Sequence, residues 1–327
     1  MNKATASIGF AAAVVLALWV GAVQAQNFPI RNITIIVPYP PGGSTDVAAR
    51  VVGEHMARTL GQHVIIENVS GGGSTIATGR VVRAAPDGYT LLVHQLALAA
   101  NVALFPRLSF DAEKDLASVG LIDYSPMMIV GRSSLAASSI TDLTAWMKGH
   151  RAKFAHVGPG SAAHLCAALF AQSVGAEVDM IPYRGAGPAV SDIIAGHVDL
   201  YCTPPAGVAE YVKAGTTKGY GIASKEKLDR FPDVPSLVQL GFATLDMRFW
   251  QGMFAPAGTP KPILDKLNAA LRLALADPKV IESFELTDFR VFPAEEQTRA
   301  AADRFLREEI ARWGEMIRTN NIEAAQQ

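Results

Sequence analysis

The segment ITIIVPYPPGGSTDVAARVVGEHMARTL, residues 33–60, contains the pattern that decides the fold class of this chain. Its first five residues form a β-branched run that stops at Pro38, and apolar residues then recur from Val47 to Leu60, mostly at three- and four-residue spacing. The first pattern is typical of a buried strand and the second of an amphipathic helix. We therefore predict a strand, a Gly-rich loop and a helix, in that order.

The same alternation returns along the chain. We predict further strands at residues 64–67, 90–93, 154–157, 180–182 and 198–201, and further helices at residues 74–84, 162–174 and 186–195. Apolar strands linked by crossover helices indicate parallel α/β sheets. After position 254 the pattern changes to two long amphipathic helices, residues 260–276 and 295–319, which we expect to pack on a sheet already formed.

Length, charge and cysteine count exclude several classes of protein. The chain has 327 residues, a formal net charge of −1, two cysteines and seven histidines. A length above ~250 residues favours two domains over a single core. A near-neutral chain without Lys/Arg runs lacks the basic surface that nucleic acid requires, so we expect no such partner. The cysteines are too few for an all-cysteine zinc site and the histidines show no metal-ligand spacing, so we expect no metal and no cofactor.

The first 25 residues have the pattern of a secretory signal peptide. Lys3 is the only charged residue before position 31, an apolar run follows to position 20, and Val23 and Ala25 precede a cleavage site. We expect cleavage near Ala25 and Gln26, and export to the periplasm. The alternative is an uncleaved membrane anchor, because the apolar run approaches the ~20 residues that span a bilayer.

The first candidate binding element is the loop at residues 38–46, between the first strand and the first helix. Two glycines allow the backbone to approach a ligand, and Ser44, Thr45 or Asp46 is placed to cap the helix. Open α/β sheets bind ligands at the carboxyl ends of their strands, and helix N-termini favour anions. The alternative is an ordinary strand-to-helix turn.

The second candidate element, GPGSAAHL at residues 158–165, repeats this chemistry after the strand predicted at residues 154–157. If the two loops face each other across a cleft, a carboxylate can be held between two helix N-termini without a buried Arg. Ser161 and His164 also share one helical face, which leaves an exported hydrolase as an alternative. No GxSxG motif and no acid placed to orient the imidazole accompany them, so we expect no enzyme.

Further strand ends carry polar residues that belong at the same edge of the sheet. The loop after residues 180–182 contains Tyr183 and Gly185, although it also fits a surface loop with a solvated Arg184. Two other strand ends carry polar side chains, at His94 and at the pair Cys202 and Thr203. Their convergence is typical of a ligand pocket.

Together these motifs resemble the Bug or TctC family, the extracytoplasmic solute receptors of tripartite tricarboxylate transporters. The resemblance covers essentially the whole chain after residue 25. It is carried, in chain order, by residues 38–46, 67–68, 84–92, 160–161, 164–165, 182–185, 213–215, 233–235, 255–260 and 276–278.

The resemblance implies an α/β fold of the two-lobed, Venus-flytrap periplasmic binding protein kind, type II-like, with parallel or mixed sheets and a central ligand cleft. Lobe 1 would comprise residues 26–124 and 250–327, and lobe 2 residues 125–249. The implied function is a monomeric receptor that binds a small carboxylate and delivers it to the membrane permease subunits of a tripartite transporter. A ligand sensor for a periplasmic signalling receptor is the alternative that the same fold would serve.

In this family the carboxylate is bound between the two opposed loops, largely through backbone N–H groups, hydroxyls and ordered waters. Asp46 is expected to fix its loop rather than to touch an anion. The ligand-binding residues that we expect, from the resemblance and from the strand ends together, are Tyr39, Gly42, Gly43, Ser44, Thr45, Asp46, His94, Ser161, Ala162, His164, Tyr183, Gly185, Cys202 and Thr203.

The chain departs from the family's pattern at Thr203, Pro204 and Pro205, where many members carry an acid. This departure weakens the expectation of a cationic group on the ligand. A disulfide between Cys166 and Cys202 stays open at this point, because a sequence does not give the separation of two sulfur atoms.

Overall fold

The structure is a computed structural model that describes residues 28–323, so the predicted signal peptide lies outside the described residues. Ten strands form one mixed sheet. The strands are β1 (Ile33–Val37), β2 (Val64–Asn68), β3 (Thr90–Gln95), β4 (Leu116–Arg132), β5 (Ala152–His156), β6 (Val178–Pro182), β7 (Leu200–Thr203), β8 (Thr217–Ala223), β9 (Arg248–Pro256) and β10 (Arg290–Val291).

Ten α-helices accompany these strands in the described part of the chain. They are α1 (Ser44–Leu60), α2 (Thr75–Val82), α3 (Ala97–Leu104), α4 (Ile140–Gly149), α5 (Ala162–Val174), α6 (Ala186–Ala195), α7 (Ala209–Lys213), α8 (Lys261–Leu275), α9 (Pro278–Glu285) and α10 (Arg299–Thr319). Among residues 28–323, no helix is long and apolar enough to cross a membrane.

The strand order is β2-β1-β3-β9-β4-β7-β5-β6, with β8 and β10 both added to β4. Two parallel groups stand at the ends of this order, because β1 pairs parallel with β2 and β3, and β5 pairs parallel with β6 and β7. The two groups are joined through antiparallel strands: β9 pairs with β3 and with β4, and β4 pairs with β7 and β8. The α/β, two-lobed fold class is therefore confirmed, in its mixed-sheet form.

The strand β4 passes from one group to the other. Its residues 116–126 pair with β9, and its residues 127–132 pair with β8. On the first part, Asp123 lies opposite Gln251, whose Nε2 donates to its Oδ1 at 2.8 Å. Burial raises the pKa of Asp123 to about 8, so this carboxyl is protonated at neutral pH. The hydrogen-bonded pair of Asp123 and Gln251 is therefore buried between β4 and β9 without a net charge.

The C-terminal helix α10 covers this crossing. Thr298 caps it by accepting a hydrogen bond from the N–H of Ala301, so the helix begins later than the predicted residue 295. The fully buried Trp250 and Trp313 both donate their indole N–H to Glu309, at 2.7 and 3.1 Å. This shared acceptor satisfies two buried donors and joins the last helix to β9.

Candidate functional site

A cavity of about 270 Å³ lies between the two groups of strands. It opens at the carboxyl ends of β1, β5, β6 and β7, which is where open α/β sheets place ligands. Its lining residues come from both groups: Tyr39, Pro40, Pro41, Gly42, Gly43, Ser44, Thr45, Gln95, Met127, Val157, Ala162, Ala163, Arg184, Gly185, Ala186, Gly187, Pro188, Tyr201, Cys202, Thr203, Pro204 and Phe249. We call this space the ligand cavity.

A second cavity of about 570 Å³ adjoins it and shares five lining residues with it: Tyr39, Pro40, Val157, Arg184 and Gly185. The two lobes touch at this boundary. A Cβ atom on Gly185, whose φ is +109°, would lie 3.1 Å from Cγ of Pro40. Glycine is therefore required here both by the backbone conformation and by the close approach of the opposite loop.

The first loop, residues 38–46, presents the start of α1 to the ligand cavity. Gly42 has φ +82° and turns the chain, and Gly43 occupies the N-cap position without a side-chain cap among the described residues. The N–H groups of the first helical turn have no partner within an α-helix, so they remain available at the cavity. Ser44 and Thr45 line the cavity beside these N–H groups, and Thr45 is buried.

Asp46 faces away from the cavity and holds the first loop. Its Oδ2 accepts from the N–H of Gly42 and from Nε of Arg50, both at 2.9 Å, and its Oδ1 accepts from Nη2 of Arg50 and Nδ2 of Asn68. Burial opposes this charge, but the hydrogen bonds from Arg50, Gly42 and Asn68 outweigh it and keep the pKa of Asp46 below its usual value. Asn68 also donates to the carbonyl of Tyr39, which ties both ends of the loop to β2.

Tyr39 lies over a buried polar network. Its hydroxyl accepts from Nε2 of Gln95, and burial raises the pKa of Tyr39 well above its usual range, so the phenol keeps its proton. His94 lies behind it, fully buried, 3.0 Å from the Ser74 hydroxyl. Burial lowers the pKa of His94 to about 4, so the ring is neutral. The structure therefore places His94 behind the cavity wall, where it supports Ser74.

The second loop, residues 158–164, presents the start of α5. Ser161 is its N-cap: the hydroxyl accepts from the N–H of His164 at 3.2 Å and donates to the carbonyl of Gly158 at 2.7 Å. The next residue, Ala162, lines the ligand cavity, whereas Ser161 lines the adjoining one. A capped loop thus offers the N–H groups of Ala162 and its neighbour to the cavity.

Two buried imidazoles support the second loop. Nδ1 of His164 accepts from the N–H of Gly160 at 3.4 Å, Nδ1 of His156 accepts from the N–H of Gly158 at 3.2 Å, and the two rings lie 5.1 Å apart. Burial and the neighbouring His156 lower the pKa of His164 to about 4. Since the Ser161 hydroxyl donates to a backbone carbonyl, the geometry gives no support to the hydrolase alternative.

A third helix N-terminus, that of α6, also lines the ligand cavity. Gly185 occupies its N-cap position without a side-chain cap among the described residues. Tyr183 turns away from the ligand cavity, donates to Oδ2 of Asp192 at 2.6 Å and lines the adjoining cavity. Burial, followed by this carboxylate, raises the pKa of Tyr183 to about 12. The sequence signal for this third terminus was the Gly-rich turn after β6.

Cys202 and Thr203 close the cavity at the end of β7. Cys202 forms a disulfide with Cys166 of α5, with Cα atoms 6.2 Å apart, so the pairing that the sequence left open is present. Tyr201, buried beside them, has its pKa raised to about 12 by burial. The disulfide thus joins the helix that begins at the second loop to the strand that ends at the cavity.

The predicted site residues therefore fall into two sets. Nine of them line the ligand cavity: Tyr39, Gly42, Gly43, Ser44, Thr45, Ala162, Gly185, Cys202 and Thr203. The others lie behind or beside it: Asp46, His94 and His164 in the supporting networks, and Ser161 and Tyr183 in the adjoining cavity.

Sequence reasoning missed several lining residues. Met127 and Phe249 come from β4 and β9, antiparallel strands for which no strand was predicted. Arg184, for which the sequence also fits a solvated position in a surface loop, lines both cavities and is the only charged side chain in the described lining of either. Within residues 28–323, no group of three or more His, Cys, Asp or Glu side chains could hold a metal ion.

Comparison with known proteins gives a consistent result. The family model described as "Tripartite tricarboxylate transporter family receptor" (TctC) matches residues 48–322. Protein BugT of Bordetella pertussis is 35% identical over 301 residues, which are 90% of this chain and 91% of that protein.

Two solved structures from Rhodopseudomonas palustris superpose closely on the chain. MatC with bound malate has a TM-score of 0.85 and 34% identity, over 89% of this chain and 100% of that one. Rpa4515 with adipate has a TM-score of 0.84 and 25% identity, over 90% of this chain and 99% of that one.

Proposed function

Because this chain belongs to the tripartite tricarboxylate transporter receptor (TctC) family, we propose that it is a periplasmic receptor that binds a small carboxylate between its lobes and delivers it to the membrane permease subunits of a tripartite transporter. In this proposal the chain is not an enzyme and acts as a monomer. Its cleavable signal peptide, residues 1–25, directs it to the periplasm.

The observation that carries the proposal is the convergence of three helix N-termini, those of α1, α5 and α6, on one cavity. Each terminus contributes backbone N–H groups and a partial positive charge of roughly half an elementary charge. Arg184 is the only charged side chain in the described lining, so no carboxylate of the protein competes for those donors. Such a site favours an anion with acceptor oxygens over a neutral or cationic solute.

The ligands of the relatives support the same class, since MatC was solved with malate and Rpa4515 with adipate. We propose that the ligand carboxylate contacts the N–H groups at Ser44, Thr45 and Ala162. The Tyr39 hydroxyl supplies a further donor, because its phenol stays protonated. Much of the remaining lining, Met127 and Phe249 included, is apolar and suits the carbon skeleton of an organic acid.

We further propose that lobe 1 comprises residues 26–124 and 250–327, and lobe 2 residues 125–249. The change of pairing partner along β4, from β9 to β8 after Pro126, supports a hinge at this crossing. A rotation there would open and close the cavity between the loops.

A thermal-shift screen with mono-, di- and tricarboxylates and aromatic acids tests the binding. At a free concentration of about a hundred times its Kd, a ligand adds about 2.7 kcal/mol to the free energy of unfolding, which raises Tm. We expect one or more carboxylates to do so. If neutral solutes raise Tm while no carboxylate does, the proposal is wrong.

The variant Gly187→Trp tests whether the carboxylate binds in the ligand cavity. Gly187 lines the cavity, and a Cβ atom on it would meet no atom within 4 Å, so we expect the protein to accept a tryptophan there and the indole to obstruct the cavity. Gly149→Trp is the matched control, because Gly149 is also an exposed lobe 2 glycine with open space around it. We expect Gly187→Trp to lose the ligand-induced shift and Gly149→Trp to keep it. Uptake of the identified carboxylate by cells with and without the receptor then tests delivery.

A further inference from the structure

A groove of about 270 Å³ lies behind the crossing strands, on the face opposite the ligand cavity. On β4, Met127 lines the ligand cavity while Pro126 and Tyr124 line the groove. On β9, Phe249 lines the cavity while Arg248 lines the groove. Successive strand residues point to opposite faces, so the two strands separate the two spaces. We call this space the hinge groove.

Both proposed lobes contribute to the hinge groove. Residues 224–228 and Asp246 line one side, and Asp288 and Arg290 line the other. An ion pair spans the two sides, since Nη1 of Arg230 lies 2.9 Å from Oδ2 of Asp288. The width of the groove must therefore change whenever the lobes rotate about the crossing strands.

Two guanidinium groups on the floor of the groove have no ion pair or hydrogen bond with the described residues. Arg248 lies over the ring of Tyr124, 4.6 Å from its centroid, and Arg290 pairs with Tyr124 across β10 and β4. Arg248 lies opposite Pro126 and Arg290 opposite Tyr124, so all three side chains are on one face. The two arginines are two strand spacings, or about 10 Å, apart across the sheet and two residues, or about 7 Å, apart along it. Their side chains can thus converge on one anion above the Tyr124 ring.

The acidic side chains that line the groove neutralise only part of the positive charge of Arg248 and Arg290. Asp246 lies 3.5 Å from Lys225, and Asp288 is paired with Arg230. Glu226, at the exposed rim, has no ion pair among the described residues, whereas Arg248, Arg290 and Lys227 are all cationic. Arginine is suited to planar, bidentate recognition of carboxylate and phosphate oxygens.

We propose that the hinge groove is a second binding site, for a small doubly charged oxyanion of the phosphate kind, held by Arg248 and Arg290. The lobes are in contact across the cleft in this structure, at Gly185 and Pro40, while the groove is open. An anion in the groove therefore stabilises the closed arrangement and raises the affinity of the ligand cavity. This coupling rests on the proposed function, whereas anion binding itself does not.

Inorganic phosphate is the probe for the groove. Calorimetric titration of the mature chain at low ionic strength should show binding to the wild type and to Gly187→Trp, the variant designed to obstruct the ligand cavity. The double variant R248Q/R290Q should bind at least tenfold more weakly. The charge-matched control is R272Q/R307Q, which removes two exposed arginines that have no ion pair with the described residues and should bind as the wild type does. Tm without phosphate shows that each variant is folded.

Three results overturn the site: no phosphate binding to the wild type, equal binding to R248Q/R290Q, or binding that Gly187→Trp abolishes.

The coupling is measured separately with malate and adipate, or with the carboxylate that the thermal-shift screen identifies. We expect saturating phosphate to tighten that ligand about fivefold in the wild type and not in R248Q/R290Q. An unchanged affinity in the wild type refutes the coupling. If no carboxylate binds while phosphate still does, the proposed function fails and the groove site stands.

Discussion

The first loop, residues 38–46, and the second loop, residues 158–164, present the same groups to the ligand cavity but are supported by different interactions. A charged network around Asp46 holds the first loop, with Arg50 at the surface as its counter-ion. Neutral groups hold the second loop: the Ser161 hydroxyl and the buried imidazoles of His156 and His164. The helix behind the second loop is also fastened by the disulfide.

This difference follows from where each loop lies. Arg50 is half exposed on α1, so a carboxylate beside it keeps a solvated counter-ion and stays charged. His156 and His164 are buried between α5 and the sheet, where an unpaired charge is costly. We therefore expect the two loops to fail under different conditions, and the following changes test that expectation in order of decreasing effect.

The largest effect is expected from removing the disulfide with Cys166→Ala and Cys202→Ala. The bond closes a loop with a sequence separation of 36 residues, which in the chain-entropy model stabilises the fold by about 4 kcal/mol. Urea denaturation measures the loss, and reduction of the wild type should reproduce it. Ligand affinity should fall as well, because α5 and β7 both line the cavity. Equal midpoints for the variant and the oxidised wild type would show that the disulfide does not support this side of the site.

The next effect is expected from Asp46→Ala, on the other loop. Asp46 is buried and accepts hydrogen bonds from Gly42, Arg50 and Asn68. Hydrogen bonds to charged groups contribute about 1.5–3 kcal/mol each, and not additively, so we expect a loss of about 3 kcal/mol in the free energy of unfolding. Ligand affinity should drop too, since Gly42 and Gly43 lose their support. A variant that denatures as the wild type does would mean that the network is not what holds the first loop.

The parts of the fold that could be predicted were those with local patterns. The β-branched run of β1 and the helix α5 appear with the predicted bounds, because each follows from periodicity and a cap within one segment. By contrast, β4 runs for 17 residues, and buried and partly buried residues alternate along only part of it, because other elements cover it on different faces along its length. Its pairing with β9 joins residues that are far apart in sequence, and no local pattern specifies such a partner.

The same distinction applies to the candidate site. The loop glycines and hydroxyls could be placed at strand ends from the sequence, and so could the role of Asp46 in holding its own helix start. The positions of His94 and His164 behind the wall depend on packing against Ser74 and His156, which only the tertiary structure brings together. Met127 and Phe249 carry no sequence signal for a site, because an apolar lining residue looks like a core residue.

Acidification should remove the contribution of His164 to the free energy of unfolding at a higher pH than that of Asp46. The pKa of His164 is about 4 in the fold, below the ordinary value of 6.5, so the unfolded chain binds the proton first as the pH falls. The stabilisation is present above pH 6.5 and is lost on acidification, by roughly 2 kcal/mol between pH 6.5 and 4.5. The pKa of Asp46 is instead lowered from 3.8, so its contribution is lost only below that value.

His164→Asn tests this assignment. Asparagine keeps an acceptor for the N–H of Gly160 and does not titrate, so the pH dependence of urea denaturation should flatten between pH 6.5 and 4.5 by the same amount. His63→Asn, at an exposed position, is the control and should leave the slope unchanged. If His164→Asn retains the wild-type slope, another group is responsible for the acid sensitivity.

The smallest effect is expected from Arg50→Gln, which separates the ion pair from the other hydrogen bonds of Asp46. The Arg50 side chain is 51% exposed, so solvent screens the pair and its loss should cost about 1 kcal/mol or less, and less still at high salt. Arg58→Gln, which removes an exposed pair with Glu54 on the same helix, should cost almost nothing. A loss for Arg50→Gln as large as that for Asp46→Ala would place the support of the first loop in the ion pair. A small loss places it in the hydrogen bonds from Gly42 and Asn68.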